Sequence, residues 1–359
     1  GASFSLNDYN GGPIDEEYAK NRSLNEPLVE ITQVKGTSET HPLISKNDEW
    51  AAFEAKTGVE AEKLVSNLKG GYVRDAYLRG LTLAERGLTN PFKFGLIGSS
   101  DSHVGGPSDS EEFFFSKVGL LDGTAELRGS IPFNRFYGTF LKVLRPNMLK
   151  EVDGKTYFSA SDRLIQFAAS GLAGVWAEEN TREAIYDALK RKETFATSGP
   201  RMKVRFFAGY DLENSKLDDL SLIQDAYRSS IPMGGTLNIS ANKNPTFLVW
   251  AIADPVGAPL QRTQIIKGWL EDGEHKEKVF DIACSDGLSV DPETYRCPDN
   301  KAWVDLSNCS ISADSGAREM KVFWQDPEFK KDQGAFYYSR VLENPVCRWS
   351  TWDSVRNGQ

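Results

Sequence analysis

Histidine and cysteine are scarce in this chain. Its 359 residues hold three His and four Cys, and no cysteine occurs before Cys284. None of Cys284, Cys297, Cys309 and Cys347 forms a Cys-x-x-Cys pair, which excludes a zinc knuckle. Long apolar runs are missing too. No stretch reaches the roughly 20 residues that cross a bilayer, so no membrane span is expected. There is no Gly-x-Gly-x-x-Gly turn after a strand, no P-loop and no Gly-x-Ser-x-Gly elbow. These absences exclude the common dinucleotide, nucleoside-triphosphate and serine-hydrolase sites. Basic excess is also lacking: 42 Lys and Arg stand against 51 Asp and Glu, a net charge of −9. Such a chain repels a polyphosphate backbone, which argues against nucleic-acid binding as its main task. No repeat of fixed period and no low-complexity tract occurs.

What is present is globular. Hydrophobic residues make up 40% and charged residues 26%, and the length suggests two domains. The late cysteines read either as separate buried thiols or as one or two disulfides pinning C-terminal loops. The disulfide reading implies a periplasmic or extracellular location. Sequence alone does not choose among the three pairings.

Residues 1–200 alternate strand and helix signals. Leu28–Val34 is β-branched and alternating, so it predicts a strand. Ser45 and Asp48 resemble a capping box opening a helix over 48–55. A longer helical region is predicted over 60–86, with a break at Gly70-Gly71. Phe92–Gly98 predicts a buried strand, and 107–158 an irregular insertion or lid. A helix is expected over 161–170, a strand over 172–177, a helix over 182–192 capped by Asn180 or Thr181, and a short β segment over 194–197. From residue 201 the pattern changes to strands in series, at 204–207, 236–239, 246–253, 264–269, 278–282, 320–324 and 335–341. That predicts a sandwich-like β domain over 201–359.

The chemistry-bearing residues gather after strands, where ligands collect in α/β folds. Asp101-Ser102-His103 sets a carboxylate and an imidazole two residues apart, and both suit Zn²⁺, Mn²⁺ or Fe²⁺. Alone, the pair is a weak motif and reads more readily as a hydrogen-bonded loop than as a metal site. Glu39-Thr40-His41 repeats the spacing beside Lys35 and Ser38. Arg182 and Arg201 lie near element ends and suit an anionic substrate. His275, amid charged neighbours, reads as solvated.

Five stretches carry a family resemblance. Gly98–His103 resembles the last metal-binding motif of the polymerase-and-histidinol-phosphatase (PHP) superfamily, where an Asp-x-His ends a strand of a distorted (β/α)₇ barrel. Gly174–Glu183, Phe195–Arg201, Glu30–Pro42 and Tyr337–Pro345 together resemble the DUF3604 family, a PHP-like group related to carbaryl-hydrolase-type metallohydrolases. The resemblance covers nearly the whole chain. It implies an α/β fold: part of a PHP-like barrel over 1–200, then the β-rich domain. It also implies a site for two or three divalent metals (Mn, Zn or Fe), with Asp101 and His103 as ligands. Glu39 and His41 become acid/base candidates, and Lys35, Arg182 and Arg201 substrate contacts. The implied reaction is hydrolysis of a small-molecule phosphoester or of a carboxylic or carbamate ester by metal-activated water. PHP-like proteins begin with a His-x-His motif that this sequence does not contain. The chain therefore reads as the later part of a longer protein, its first barrel strands cleaved away, omitted or carried by a second chain. The alternative is an inactive fragment or binding module whose Trp250, Trp269, Trp324, Trp349 and Trp352 contact a glycan or a partner protein.

Overall fold

The computed structural model describes residues 4–55, 68–158, 167–212, 215–240 and 243–358. Helix α1 (Glu16–Asn25) starts where the Asp15 side chain accepts a bond from the Tyr18 amide. Strand β1 (Leu28–Gln33) turns tightly into β2 (Gly36–Thr37). The helix expected over 48–55 is instead a run of turns. Its capping residue is drawn elsewhere: two arginines hold the Asp48 carboxylate, and the Glu54 carbonyl bonds the Thr37 amide at 3.0 Å.

Much of the expected 60–86 helix falls on 56–67, outside the described residues. The remainder is α2 (Val73–Glu85), preceded by the expected break at Gly70-Gly71. Strand β3 (Gly95–Gly98) pairs parallel to β1, with Leu28 beside Gly95 and Glu30 beside Ile97. The predicted insertion is more regular than expected. It contains the one-turn helix α3 (Ala125–Arg128), α4 (Arg135–Leu144) and a hairpin of β4 (Leu149–Val152) and β5 (Lys155–Phe158). That hairpin turns on Asp153 (φ 50°) and Gly154 (φ 74°), a pair suited to a tight turn with two positive φ angles. The helix expected over 161–170 falls mostly on 159–166, outside the described residues.

Strand β6 (Leu172–Val175) leads to α5 (Arg182–Arg191), capped by Thr181 as expected, and then to β7 (Thr194–Thr197). β6 and β7 are antiparallel, with Leu172 opposite Thr197. β7 lies along β3: a Cβ on Gly95 would touch Thr194, and one on Gly98 would touch the Thr197 carbonyl. Strands β1, β3 and β7 therefore run the same way. No closed barrel forms among the described residues; the α/β part consists of small sheets.

The β-rich part comprises β8 (Lys203–Gly209), α6 (Leu222–Ser229), β9 (Ile231–Pro232), β10 (Thr246–Ile252), β11 (Leu260–Glu271), β12 (Glu274–Cys284), β13 (Glu319–Gln325), β14 (Ala335–Glu343) and α7 (Trp349–Arg356). Two antiparallel sheets result, ordered β13-β10-β8-β9 and β12-β11-β14. They meet across Phe247, Val249, Ile265, Phe280 and Ile282, an alternating inward face on each strand. The strand expected at 236–239 is absent. That segment hangs on the Tyr210 hydroxyl, which donates to the Asn238 carbonyl and accepts from the Ser240 amide.

The cysteines pair as Cys284–Cys297 and Cys309–Cys347. Helix α2 joins the two parts, with Tyr77 packed on Phe336 at 5.0 Å. His275 is exposed, as expected, and its Nε2 also lies 2.9 Å from the Thr82 hydroxyl, linking β12 to α2.

Candidate functional site

The parallel direction of β1, β3 and β7 brings three loops to one rim. Lys35 sits exposed at the β1–β2 turn. The turn requires Gly36: its φ is +102°, and a Cβ there would lie 2.0 Å from the Glu54 carbonyl. After β3, the Ser99 amide bonds the Thr32 carbonyl at 3.1 Å and the Val34 amide bonds the Ser100 carbonyl at 3.2 Å. The pairing with β1 thus continues to the edge of the next loop. Asp101 then takes a left-handed conformation (φ 47°), which Asp tolerates. The carboxylate and the imidazole of Asp101 and His103 end 3.8 Å apart, with the His103 side chain 59% exposed. After β7, Arg201 is exposed and pairs with Asp109 at 3.0 Å, while its amide bonds Asp254 at 2.6 Å.

Lys117 completes this rim, and local sequence spacing gave no sign of it. Its ammonium lies 2.7 Å from Asp101 Oδ2, and its carbonyl accepts the His103 amide at 2.7 Å. Partial burial alone would raise the Asp101 pKa. The bond and charge of Lys117, then His103 and Lys35, outweigh it and hold the carboxyl below its ordinary value.

Arg182 has a different setting. It is the exposed first residue of α5, reached through Val175, which pairs with Thr194 at the opposite end of β7 from Arg201.

Glu39 and His41 are enclosed. Glu39 Oε1 accepts from Arg74 at 2.6 Å, from the Tyr338 hydroxyl at 2.6 Å and from Arg340 at 3.1 Å. The same two arginines hold Asp48, Arg74 at 2.8 Å and Arg340 at 2.7 Å. Arg74, only 1% exposed, also reaches Glu277 at 3.3 Å. Burial would raise the Glu39 pKa, but Arg340, Arg74 and Tyr338 pull it below the usual carboxylate range. Glu39 is thus a fixed anion within an ion cluster joining the β2–α2 loop to β14. His41 is buried, its Nδ1 accepting the Leu43 amide at 3.2 Å, and desolvation lowers its pKa. The partners Asp48, Arg74, Glu277, Tyr338 and Arg340 were missed from sequence because they meet across 26 to 301 residues.

A cavity of about 990 Å³ lies beside the ion cluster, lined by residues of β1, β3 and β7 and of β8, β10 and β14. Phe94, Leu96, Phe195, Phe206 and Tyr337 wall it, and Glu39 and Glu54 border it. Glu54 is a second kind of buried acid. Arg348 bonds one oxygen at 2.7 Å, but Oε2 has no partner, and burial pushes the pKa to about 7.

Asp101 and His103 supply one oxygen and one nitrogen donor of the chemistry a divalent ion takes, both open to the rim. Among the described residues no third His, Cys, Asp or Glu joins them into a metal-binding group. The fit is that of two ligands of a larger set, with the Lys117 ammonium as the cation Asp101 now holds.

Of the tryptophans read as glycan contacts, Trp349 is buried against Phe114 and Trp324 packs on Phe247 and Phe280. Trp250 is covered by Lys321 and bonded to Glu319.

No helix among the described residues is long and apolar enough to cross a membrane. No curated protein and no solved structure matches the chain. A family profile does, over residues 1–359, and on that match the chain belongs to DUF3604, a family described as proteins of unknown function.

Proposed function

We propose that the β1–β3–β7 rim is one wall of a metal-dependent hydrolytic site of PHP-like type. The observation that carries the reading is the Asp101–His103 pair: 3.8 Å apart, accessible, and at the shared end of three co-directional strands. The resemblance to PHP-like and carbaryl-hydrolase-type enzymes supports it but, resting on family likeness, does not fix the substrate.

Asp101 and His103 would hold one divalent ion (Mn, Zn or Fe), with further ligands and a second or third ion belonging to polypeptide outside these residues. A bound ion of this kind acidifies water and polarises a phosphoryl or carbonyl oxygen. This chain's own residues do the rest. Lys117, 2.7 Å from Asp101, keeps its carboxylate ionised and oriented toward the rim. Lys35 and Arg201 flank the pair with positive charge suited to the anionic part of a phosphoester or to the acid released from a carboxylic or carbamate ester. Glu39 keeps the loop behind the rim in place and stays charged. Two disulfides fit action in an oxidising compartment, the periplasm or outside the cell.

The test is metal content by elemental analysis, and hydrolysis of aryl phosphate and aryl ester panels, on the protein carrying its full barrel. Asp101→Ala and His103→Ala should each remove bound metal and hydrolysis together. Unchanged metal content in both variants would sink the reading.

A further inference from the structure

We propose that α4 and the β4–β5 hairpin form an arm that docks on an anionic lipid bilayer. Helix α4 is two-faced in an unusual sense. Gly138 is its buried point: a Cβ there would lie 3.2 Å from Thr156 of β5, a tight contact that shows how closely the helix sits on the hairpin. Phe133 and Phe158 close that inner side, ring edge to ring face. At 100° per residue, Phe136 and Phe140 fall about 160° to either side of Gly138, and Val143 falls near them. These side chains point away from the protein. Phe136 is 87% exposed, Phe140 54%, Val143 80% and Leu144 59%. An amphipathic helix normally buries its apolar stripe. Here the stripe lies opposite the side that packs on the hairpin.

The charges name the occupant. Residues 135–155 carry five basic side chains (Arg135, Lys142, Arg145, Lys150, Lys155) against two acidic ones (Glu151, Asp153). That local charge of +3 stands in a chain of −9. The arm sets an apolar crest on a cationic body, the pattern of a helix lying in the interface of an acidic membrane, with long Lys and Arg side chains reaching round to the headgroups. The acidic remainder of the molecule would be held off the same surface, which fixes the orientation. Arm-on-arm pairing of two copies would set +3 against +3, which disfavours self-association through this face. The arm contributes no residue to the rim, so the inference stands whether or not the rim is hydrolytic.

The experiment is co-sedimentation of the protein with vesicles, one set of phosphatidylcholine alone and one an equimolar mixture with phosphatidylglycerol. The expected result is pelleting with the anionic vesicles, little with the neutral ones, and release as salt is raised. Phe136→Asp combined with Phe140→Asp should weaken vesicle binding by about tenfold or more. Lys142→Glu with Arg145→Glu should do the same without touching the apolar crest. All four positions are exposed, so the thermal transition should not move, and that is checked alongside. Failure of the wild-type protein to pellet, or pelleting that both variants retain, overturns the proposal. So does lipid-independent dimerisation that the Phe variants abolish.

Discussion

Glu39-Thr40-His41 and Asp101-Ser102-His103 share a spacing and a position after a strand, yet the fold gives them opposite environments. The first is sealed: Glu39 is gripped by two arginines and a tyrosine, and His41 is buried. The second is open, its carboxylate held by a single lysine and its imidazole mostly in solvent. A sealed acid whose charge is matched on every side holds structure together. An open acid with a displaceable ammonium can take a ligand. Burial and partner count, rather than residue type, separate the two roles.

The largest effect should come from breaking the sealed cluster. Arg74→Ala leaves Glu39 and Asp48 short of a buried countercharge, and should cost about 3–5 kcal/mol in urea unfolding. A loss below about 1 kcal/mol would show that water already reaches the cluster.

Glu54 tests the same contrast by pH. Its folded pKa, about 7, lies above its ordinary value of 4.5, so its contribution is full below 4.5 and is lost as pH rises through 7. The size is about 3 kcal/mol at most. Glu39 and Asp48 have depressed values, so their contribution is present above the ordinary carboxylate range and is lost on acidification. Glu54→Gln should therefore flatten the stability curve between pH 4.5 and 7 and leave the acid limb intact. A curve with the same slope in that window would refute the assignment.

A smaller change is expected from Tyr338→Phe. The hydroxyl bridges Arg74 Nε at 2.8 Å and Glu39 at 2.6 Å, and its removal should cost about 1–2 kcal/mol. The smallest stability effect belongs to the open rim. Asp101→Ala and His103→Ala should shift stability by no more than about 0.5 kcal/mol, because both groups are accessible. If either variant unfolded as readily as Arg74→Ala, the two acid-x-His pairs would not differ as described.

Much of the fold was legible locally. The β-rich strands announced themselves by β-branched and aromatic alternation, and Thr181 by its place before a helical pattern. The Asp153-Gly154 turn is equally readable in the sequence, although it lies inside a stretch whose composition predicts irregular structure. The failures have tertiary causes. Ser45 and Asp48 spell a helix start, but Arg74 and Arg340 claim the Asp48 carboxylate. Thr236–Ile239 alternates like a strand, yet the Tyr210 hydroxyl takes its backbone groups.

The sequence by itself determined the alternating α/β start, the β-rich end and the residue types able to meet a metal. Tertiary structure alone decided which cysteines pair, that Lys117 meets Asp101, and that Arg74 and Arg340 seal Glu39 away. The physical reason is range. Periodicity and capping act over a few residues, whereas burial and countercharge are set by groups that lie up to 301 positions apart along the chain and touch only after folding.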